Sequence, residues 1–327
     1  MQVWIRADGN EAIASGHLRR TLSIAQELRL RGADVTFLLA DDVSRSFFLE
    51  MTDTNRERWV YLSLGIPYGN TEEELPVLQQ MVKAGKPDWL LVDSYAAGET
   101  YLSGLRECRS CRTAYIDDLA LFDPDVDLVI NYAPDAAGLR PFYRRRKRRL
   151  LGASYAPLRA QFSRLVPQVR EEVSAVLIST GGTDPYHMAD EIGSRVEKAG
   201  LTPRFLAPGH AYVEKVAVHM QSCDLAVSGG GTTLYELCAA GVPTLSWSMA
   251  DNQAVFAGKM AEAGACSYAG DIRDEAERSR VLCQVDDWIC TRADAYAGRA
   301  IRERESAQMH ALTDGKGASR IAGRLLR

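Results

Sequence analysis

The sequence predicts an α/β fold of two domains, each built around a parallel sheet. Three observations predict it. Short apolar segments alternate with helical patterns, glycine-bearing turns follow several of the apolar segments, and the alternation breaks once, over residues 139–155. A strand–helix–strand alternation brings strands together in parallel with helices on the sheet faces, so the pattern is typical of α/β domains. With 327 residues, 46% of them hydrophobic, the chain is long enough to form two cores.

The first half begins with a predicted strand–helix–strand unit. Val3–Arg6 reads as a short buried strand, and Gly16–Leu30 has apolar residues at helical spacing. Gly32 ends that helix, and Val35–Leu39 is the second strand. The alternation then continues with three strands and one helix: Trp89–Val92, the helix over Thr100–Arg106, Thr113–Ile116 and Leu128–Ile130.

The break in the alternation predicts the domain boundary. It contains the basic run Arg144–Arg149, and it divides the chain into domains 1–152 and 153–327. A solvated loop is the main interpretation of the basic run, and contact with anionic lipid or another polyanion is the alternative. The alternation restarts with strands at Ala175–Ser179, Pro203–Ala207, Asp224–Ser228 and Thr244–Trp247. Glu275–Arg327 reads as mostly helical, and the sequence alone leaves open whether its last helix crosses back onto the first domain.

Composition excludes several classes of function. A net charge of −4 lacks the positive excess typical of nucleic-acid binding. The seven cysteines include Cys108-x-x-Cys111, but no second pair or nearby histidine completes a zinc site, so we predict reduced thiols and no metal. We find no segment of roughly 18 apolar residues for a membrane span and no secretion leader. We therefore expect a cytoplasmic protein without stable membrane insertion, whose oligomeric state the sequence leaves open.

A glycine-rich turn in the second half predicts a diphosphate site. In Val227–Glu236 (VSGGGTTLYE), an apolar segment ends in glycines and threonines before a helical pattern begins. Glycines allow a ligand close to the backbone, and a helix start offers free N–H groups. The candidate nucleotide-binding residues of this turn are Ser228, Gly230, Gly231, Thr232 and Thr233 for the diphosphate, with Glu236 for the ribose. The alternative is a tight turn whose glycines serve packing, with Glu236 stabilising the helix dipole.

A second glycine turn follows the strand VLIS. It contains Gly182 within Gly181–Asp184 and lies at the end of a predicted strand. In parallel sheets, ligands bind in the loops at the carboxyl ends of strands. Gly182 is therefore a further candidate for binding the nucleotide, and an ordinary turn is an equal alternative.

His17 is the candidate for chemistry. It follows Gly16 at the start of the first predicted helix, close to Arg19 and Arg20. A helix N-terminus disfavours imidazolium, so the ring is expected to stay neutral and able to accept a proton. Asp8 in the same loop is expected to orient the ring. The alternative is a structural histidine that caps the loop.

Polar residues at the ends of other strands are candidates for sugar hydroxyls. Asp93 and Tyr95 follow one predicted strand, and Asp117 and Asp118 follow the next. Adjacent side chains of an extended segment point to opposite sides, so at most one of the two neighbouring carboxylates is expected to line a cleft. The run Asp251, Asn252 and Gln253 offers both donors and acceptors to a sugar or diphosphate, and a helix cap at Asp251 is the alternative. These patterns together predict a sugar nucleotide held between two halves of the protein.

Longer segments resemble one known family. They are RADGN and SGHLRR near the start, VDSY, AYIDDLA, LLGASYAPLR, VLISTGGTD and SGGGTTLYELCAAGVPTLSWSMADNQ. Segments of this kind, in this order, are similar to those of the nucleotide-sugar hydrolases of pseudaminic acid biosynthesis and their spore-coat polysaccharide relatives. The resemblance spans nearly the whole chain. It implies two Rossmann-like domains in the GT-B type glycosyltransferase fold.

The resemblance also implies an activity. It is the hydrolysis of a UDP-activated diacetamido-trideoxy sugar at the anomeric carbon, with inversion and without a metal or other cofactor, releasing UDP and the free sugar. His17 would activate the water, Gly16 would join the diphosphate contacts, and Asn252 and Gln253 would face phosphate or sugar. A glycosyltransferase of the same fold, with a sugar or lipid acceptor in place of water, and a catalytically silent sugar-nucleotide binder are the alternatives.

The chain departs from the family pattern in three places. It reads IASGH where IGxGH is frequent, ASYAPLR where a second leucine replaces the proline, and INYAPD where a DQN-like sequence is common. The third departure lies near the expected sugar side, so it puts the identity of the sugar in doubt more than the reaction.

Overall fold

The computed structural model describes residues 1–53, 58–144 and 148–327. It divides into two compact units. Unit 1 comprises Met1–Ala160 together with Lys316–Arg327, and unit 2 comprises Gln161–Gly315. Unit 1 therefore runs past position 152 and also includes the end of the chain. Part of the basic run, residues 145–147, lies outside the described residues.

Unit 1 is built on a parallel sheet, for which seven strands are described. Its spatial order is β3-β2-β1-β4-β5-β6-β7, and each neighbouring pair is parallel. The strands are β1 (Gln2–Ala7), β2 (Asp34–Leu39), β3 (Val60–Ser63), β4 (Trp89–Asp93), β5 (Arg112–Ile116), β6 (Leu128–Asn131) and β7 (Arg148–Leu151). The helices that join the first five strands are α1 (Gly16–Leu30), α2 (Asp42–Asp53), α3 (Thr71–Gly85) and α4 (Glu99–Glu107). Strands β1 to β3 are added toward one edge of the sheet, and β4 to β7 are added toward the other. The strand order therefore reverses between β1 and β4, and at such a reversal point doubly wound sheets open a crevice.

Unit 2 has a second parallel sheet, with five described strands in the order β12-β11-β10-β8-β9. The strands are β8 (Ala175–Ser179), β9 (Thr202–Leu206), β10 (Leu225–Gly229), β11 (Thr244–Ser248) and β12 (Ser267–Asp271). The helices are α5 (Met188–Lys198), α6 (Val216–Gln221), α7 (Thr233–Ala240), α8 (Asp251–Glu262), α9 (Glu275–Ala293) and α10 (Gly298–Leu312). Here the direction reverses between β8 and β10, so the loops after these two strands flank the corresponding crevice.

The last helix, α11 (Gly317–Leu325), belongs to unit 1, where it packs against α1. Ile321 and Leu325 are fully buried on its inner side. A hydrogen bond of 2.7 Å from the Arg31 guanidinium to the Ser319 hydroxyl adds a polar contact. The helix begins at a glycine because a Cβ at Gly317 would lie 2.1 Å from the carbonyl oxygen of Ala156.

Candidate functional site

The reversal point of the unit 1 sheet brings two site candidates together. His17 is the second residue of α1, which follows β1, and Asp93 is the last residue of β4. Strands β1 and β4 are neighbours, so these positions meet at the carboxyl edge of the sheet. His17 is 3% exposed and Asp93 is fully buried.

The pair forms a histidine–carboxylate dyad. The Nδ1 atom of His17 lies 2.7 Å from Oδ1 of Asp93. An ionised carboxylate can only accept a hydrogen bond, so Nδ1 is the donor, and in the neutral ring Nε2 then keeps its lone pair. This tautomer is the one that a general base needs.

The expectation that Asp8 orients the ring is wrong. Asp8 is bound by the Arg6 guanidinium and accepts a 2.8 Å hydrogen bond from the backbone N–H of Ala40. Residues 6 and 8 point to the same face of their extended segment, so Asp8 joins Arg6 in a buried network with Glu74. Asp93, from the neighbouring strand, orients the imidazole instead.

Arg20 holds the carboxylate of the dyad. Its Nε donates a 2.5 Å hydrogen bond to Oδ2 of Asp93, and its Nη2 donates to Oδ1. Its Nη1 binds Asp118 and the Tyr132 hydroxyl. Burial opposes ionisation of Asp93, but Arg20 and then His17 outweigh burial and lower the pKa of the carboxyl. Arg20 is a site residue that sequence reasoning missed, although its position three residues after His17 places both on one helix face.

Tyr95 covers one side of the imidazole. Its ring contacts that of His17 edge-on, with centroids 4.4 Å apart and planes at 77°. Its hydroxyl donates to Asp118 over 3.3 Å, and the side chain stays 49% exposed. Burial and then the charge of Asp118 raise the pKa of the phenol to about 12. Tyr95 is therefore a neutral hydrogen-bonding group beside the dyad.

The two neighbouring carboxylates after β5 have different surroundings, as the alternation along an extended segment predicts. Asp118 faces Arg20 and Tyr95. Asp117 accepts hydrogen bonds of 3.2 and 2.8 Å from the N–H groups of Leu119 and Ala120, and one of 2.8 Å from the Tyr143 hydroxyl. Asp117 thus stabilises its own turn, and burial raises the pKa of its carboxyl.

The glycine turn of unit 2 joins β10 to α7, and its glycines differ in the space around them. A Cβ at Gly230 would lie 3.0 Å from both the Gln253 carbonyl oxygen and the Ala257 Cβ, so this glycine serves packing. A Cβ at Gly231 would meet no atom within 4 Å, so this glycine borders open space. The Ser228 hydroxyl donates 3.1 Å to the carbonyl of Gly229 and is buried.

The start of α7 offers backbone donors. Thr232 caps the helix without a side-chain hydrogen bond, and Thr233 is its first residue. Among the described residues, the backbone N–H groups of Thr232 and Thr233 have no intrachain acceptor. Glu236 lies in the first turn and is partly buried. Free N–H groups at a helix start form the kind of site that binds phosphate.

The other glycine turn follows β8, the strand beside β10. Gly181 has a φ of +81°, which requires glycine, and a Cβ at Gly182 would meet no atom within 4 Å. Asp184 accepts 2.9 Å hydrogen bonds from the N–H groups of Met188 and Ala189, so its carboxylate caps α5. Gly182 therefore lies at the reversal point of the unit 2 sheet, as the glycine turn after β10 does.

The residues Asp251, Asn252 and Gln253 form the first turn of α8. Ala250 is the cap residue, so Asp251 does not fill that role, and it forms an ion pair of 2.6 Å with Arg273 instead. The Asn252 side-chain oxygen accepts from the Gln253 N–H over 3.0 Å. The Gln253 side-chain oxygen accepts from a backbone N–H one turn earlier, over 3.1 Å. The amide NH2 groups of Asn252 and Gln253 remain as donors.

The described residues contain neither a metal-binding cluster nor a membrane-spanning helix. No group of three or more His, Cys, Asp or Glu side chains there has an arrangement that could hold a metal ion. No helix in the same ranges has both the length and the apolar character for crossing a membrane.

The chain has distant relatives. No family model matches it. An uncharacterized protein of Methanocaldococcus jannaschii is 21% identical over 278 residues, which are 75% of this chain and 55% of that protein. The chain thus spans about half the length of this relative.

Solved structures of glycosyltransferases share the fold. MurG of Acinetobacter baumannii matches with a TM-score of 0.69 and 13% identity over 99% of each chain. The spinosyn rhamnosyltransferase SpnG with thymidine diphosphate matches with a TM-score of 0.67 and 16% identity over 100% of each chain. Arabidopsis thaliana UGT89C1 with UDP matches with a TM-score of 0.64 and 12% identity over 100% of each chain. The predicted fold is confirmed: the chain has two Rossmann-like domains of the GT-B type.

The expected hydrolase class is wrong, because these structural neighbours are glycosyltransferases. The motifs behind that expectation are glycine turns and polar strand ends, from which the sequence predicts the binding of a nucleotide sugar. They do not distinguish water from another acceptor. The resemblance to the pseudaminic acid family itself stays a prediction.

Proposed function

We propose that the protein is a glycosyltransferase that uses a UDP- or TDP-sugar donor and transfers the sugar to a hydroxyl group of a sugar or lipid acceptor. The observation that carries the proposal is the His17–Asp93 dyad at the reversal point of a GT-B domain. The fold alone does not define a function. The dyad adds a proton acceptor whose tautomer suits the activation of a hydroxyl group.

The reaction has a simple balance. The acceptor hydroxyl gives its proton to Nε2 of His17, and its oxygen forms a bond to the anomeric carbon of the donor sugar. The bond between that carbon and the diphosphate oxygen breaks, and the nucleoside diphosphate leaves with the electron pair. Asp93 stabilises the imidazolium that results, because its negatively charged carboxylate accepts a hydrogen bond from the Nδ1–H group.

Unit 2 supplies the binding of the nucleotide in this proposal. The N–H groups at the start of α7 and the positive end of its dipole stabilise the diphosphate and its charge on departure. Gly182 and Gly231 leave the backbone open to the ligand, and Glu236 is proposed to bind the ribose. The amides of Asn252 and Gln253 and the hydroxyl of Tyr95 are the proposed groups for sugar or phosphate oxygens.

The test is acceptor dependence. Purified protein is incubated with a panel of UDP- and TDP-sugars, with and without sugar and lipid acceptors. Release of the nucleoside diphosphate is measured together with the mass of the product. We expect release that requires an acceptor and matches the amount of glycosylated product. Release at the same rate without an acceptor, with free sugar as the product, would contradict the proposal.

A further inference from the structure

The buried carboxylate of the dyad is shared between the His17 imidazole and the Arg20 guanidinium. Asp93 contacts the His17 ring through Oδ1, and Arg20 binds both of its oxygens. A carboxylate beside an imidazole alone favours the protonated, cationic ring. Here the charge of the carboxylate is already balanced by a guanidinium whose side chain is only 12% exposed. The guanidinium therefore offsets part of the attraction that the Asp93 carboxylate exerts on a proton of the ring.

The same guanidinium also lies against the ring. Nη2 of Arg20 is 3.0 Å from Nδ1 of His17. Because Nδ1 carries the proton that Asp93 accepts, this contact brings two N–H groups together rather than forming a hydrogen bond. Protonation of Nε2 would place a full positive charge on a ring at this distance from Arg20. Like charges at such a separation oppose each other strongly where water is excluded.

The other titratable groups near the dyad are one carboxylate and three tyrosines. Asp118 and the Tyr132 hydroxyl bind Arg20 from the loops after β5 and β6, and Tyr95 covers the ring from the loop after β4. Burial raises the pKa values of Tyr95, Tyr132 and Tyr115 well above the ordinary phenol range, so all three are neutral at pH 7. The charges that act on His17 are therefore those of Asp93, Arg20 and Asp118.

We infer that Arg20 is a positioning residue that opposes the protonation of His17, by neutralising Asp93 and by presenting a like charge to the ring. The inference rests on the proposed function for its biological meaning, because a neutral ring is what an acceptor hydroxyl requires. It concerns the protonation of one imidazole, which is measurable without any donor or acceptor. Arg20 also keeps Asp93 ionised, so it preserves the tautomer in which Nε2 is the free nitrogen.

Ring nitrogen NMR of the full chain labelled with ¹⁵N tests the inference. The chain has five histidines, and His17→Gln identifies the signals of position 17 by their loss. We expect the wild-type ring at pH 7 to be the neutral tautomer protonated at Nδ1. In Arg20→Gln, the pH at which the ring becomes half protonated should rise by about one to three units, the size of shift that a neighbouring charge produces.

Two variants serve as controls. Arg19→Gln removes the same charge from the same helix turn, but Arg19 is exposed and donates to the Ser15 hydroxyl at 2.9 Å rather than to the dyad. Its titration should stay within about 0.3 units of the wild type, because exposed charges are screened. Arg20→Lys keeps a cation beside Asp93, so it should restore most of the wild-type titration.

The outcomes are distinct. An unchanged or lower titration in Arg20→Gln would overturn the inference, and so would a doubly protonated wild-type ring at pH 7. If Arg20→Gln fails to fold, the titration of the wild-type ring decides: a ring that stays neutral below the ordinary histidine range supports the inference, and one that becomes protonated above that range overturns it. If the titration shifts as expected but no donor gives acceptor-dependent release, the proposed function fails and the inference stands. If the inference and the proposed function both hold, the plot of turnover against pH should change in one variant only. Its acid limb should move to higher pH in Arg20→Gln and stay in place in Arg19→Gln.

Discussion

The reversal points of the two sheets are built from different materials. In unit 1, polar side chains form a network: the His17 imidazole and the Arg20 guanidinium, both largely buried, each bind the buried carboxylate of Asp93. In unit 2, the equivalent position consists of glycine backbone and a helix start, with Gly231 bordering open space. A side-chain network can hold and move a proton, whereas a row of N–H groups can hold an anion. Under the proposed function, unit 1 would carry out the proton transfer and unit 2 would bind the nucleotide.

The largest effect is expected when the proposed base is removed. His17→Gln keeps a polar side chain of similar reach but cannot take up a proton at neutral pH. Turnover should fall by a factor of about 10² to 10⁴, the usual contribution of general base catalysis. The assay is release of nucleoside diphosphate in the presence of acceptor. Arg19→Gln, on the exposed side of the same helix, should keep wild-type turnover, and an active His17→Gln would remove the base from the account.

The next effect belongs to the backbone site. Gly231→Asp adds a carboxylate where a Cβ meets no atom, so the fold should tolerate it while the like charge repels a diphosphate. We expect UDP affinity to fall by a factor of about 10 to 100, equivalent to about 1.4 to 2.8 kcal/mol. Gly231→Ala is the matched variant and should bind within a few-fold of wild type. Equal UDP affinities of Gly231→Asp and Gly231→Ala would contradict the proposed diphosphate site at this turn.

A smaller effect separates the two neighbouring glycines of the same turn. Gly230→Ala forces a Cβ to within 3.0 Å of the Gln253 carbonyl oxygen, so packing must yield. Overpacking of this kind costs about 1 to 3 kcal/mol of the free energy of unfolding. Chemical denaturation of Gly230→Ala and Gly231→Ala measures it. If the two lose equal stability, the assignment of one glycine to packing and the other to the ligand is wrong.

The smallest effect concerns the loop before His17. Ala14 has a φ of +52°, in the left-handed region that favours glycine. It stands in the segment IASGH, where the resembled family often has a glycine. Ala14→Gly should therefore stabilise the protein by up to about 1 kcal/mol, since relief of the strain exceeds the entropy lost by glycine. Thermal unfolding measures the change, and a lower melting temperature would show that the alanine is not strained.

Much of the fold was predictable because buried strands have a plain signature. All residues of β4 and β8 are buried, and both were predicted from their apolar runs. The two edge strands of the unit 1 sheet were not predicted. β3 leaves Val60 and Leu62 exposed, and β7 begins with two arginines, so neither has the buried apolar run of a central strand. Sequence alone also left the path of the last helix open, because its partner α1 is nearly the whole chain away.

The candidate site was predictable residue by residue but not pair by pair. His17 and Asp93 were both singled out, yet Asp8 was expected to orient the ring because it is near in sequence. The true partner comes from the neighbouring strand, and only the order of strands in the sheet brings the two together. Arg20 was missed for the same reason. The role of Arg20 depends on its acceptors, Asp93 and Asp118, which are distant in sequence and lie beside it only in the folded sheet.

Calorimetric titration of UDP into His17→Gln tests the separation of chemistry from binding most directly, once the variant is shown to be folded. The account predicts a dissociation constant within about twofold of the wild type, because the nucleotide is held by the backbone of unit 2. A loss of UDP affinity comparable to that of Gly231→Asp would contradict it, since the imidazole would then belong to the nucleotide site itself.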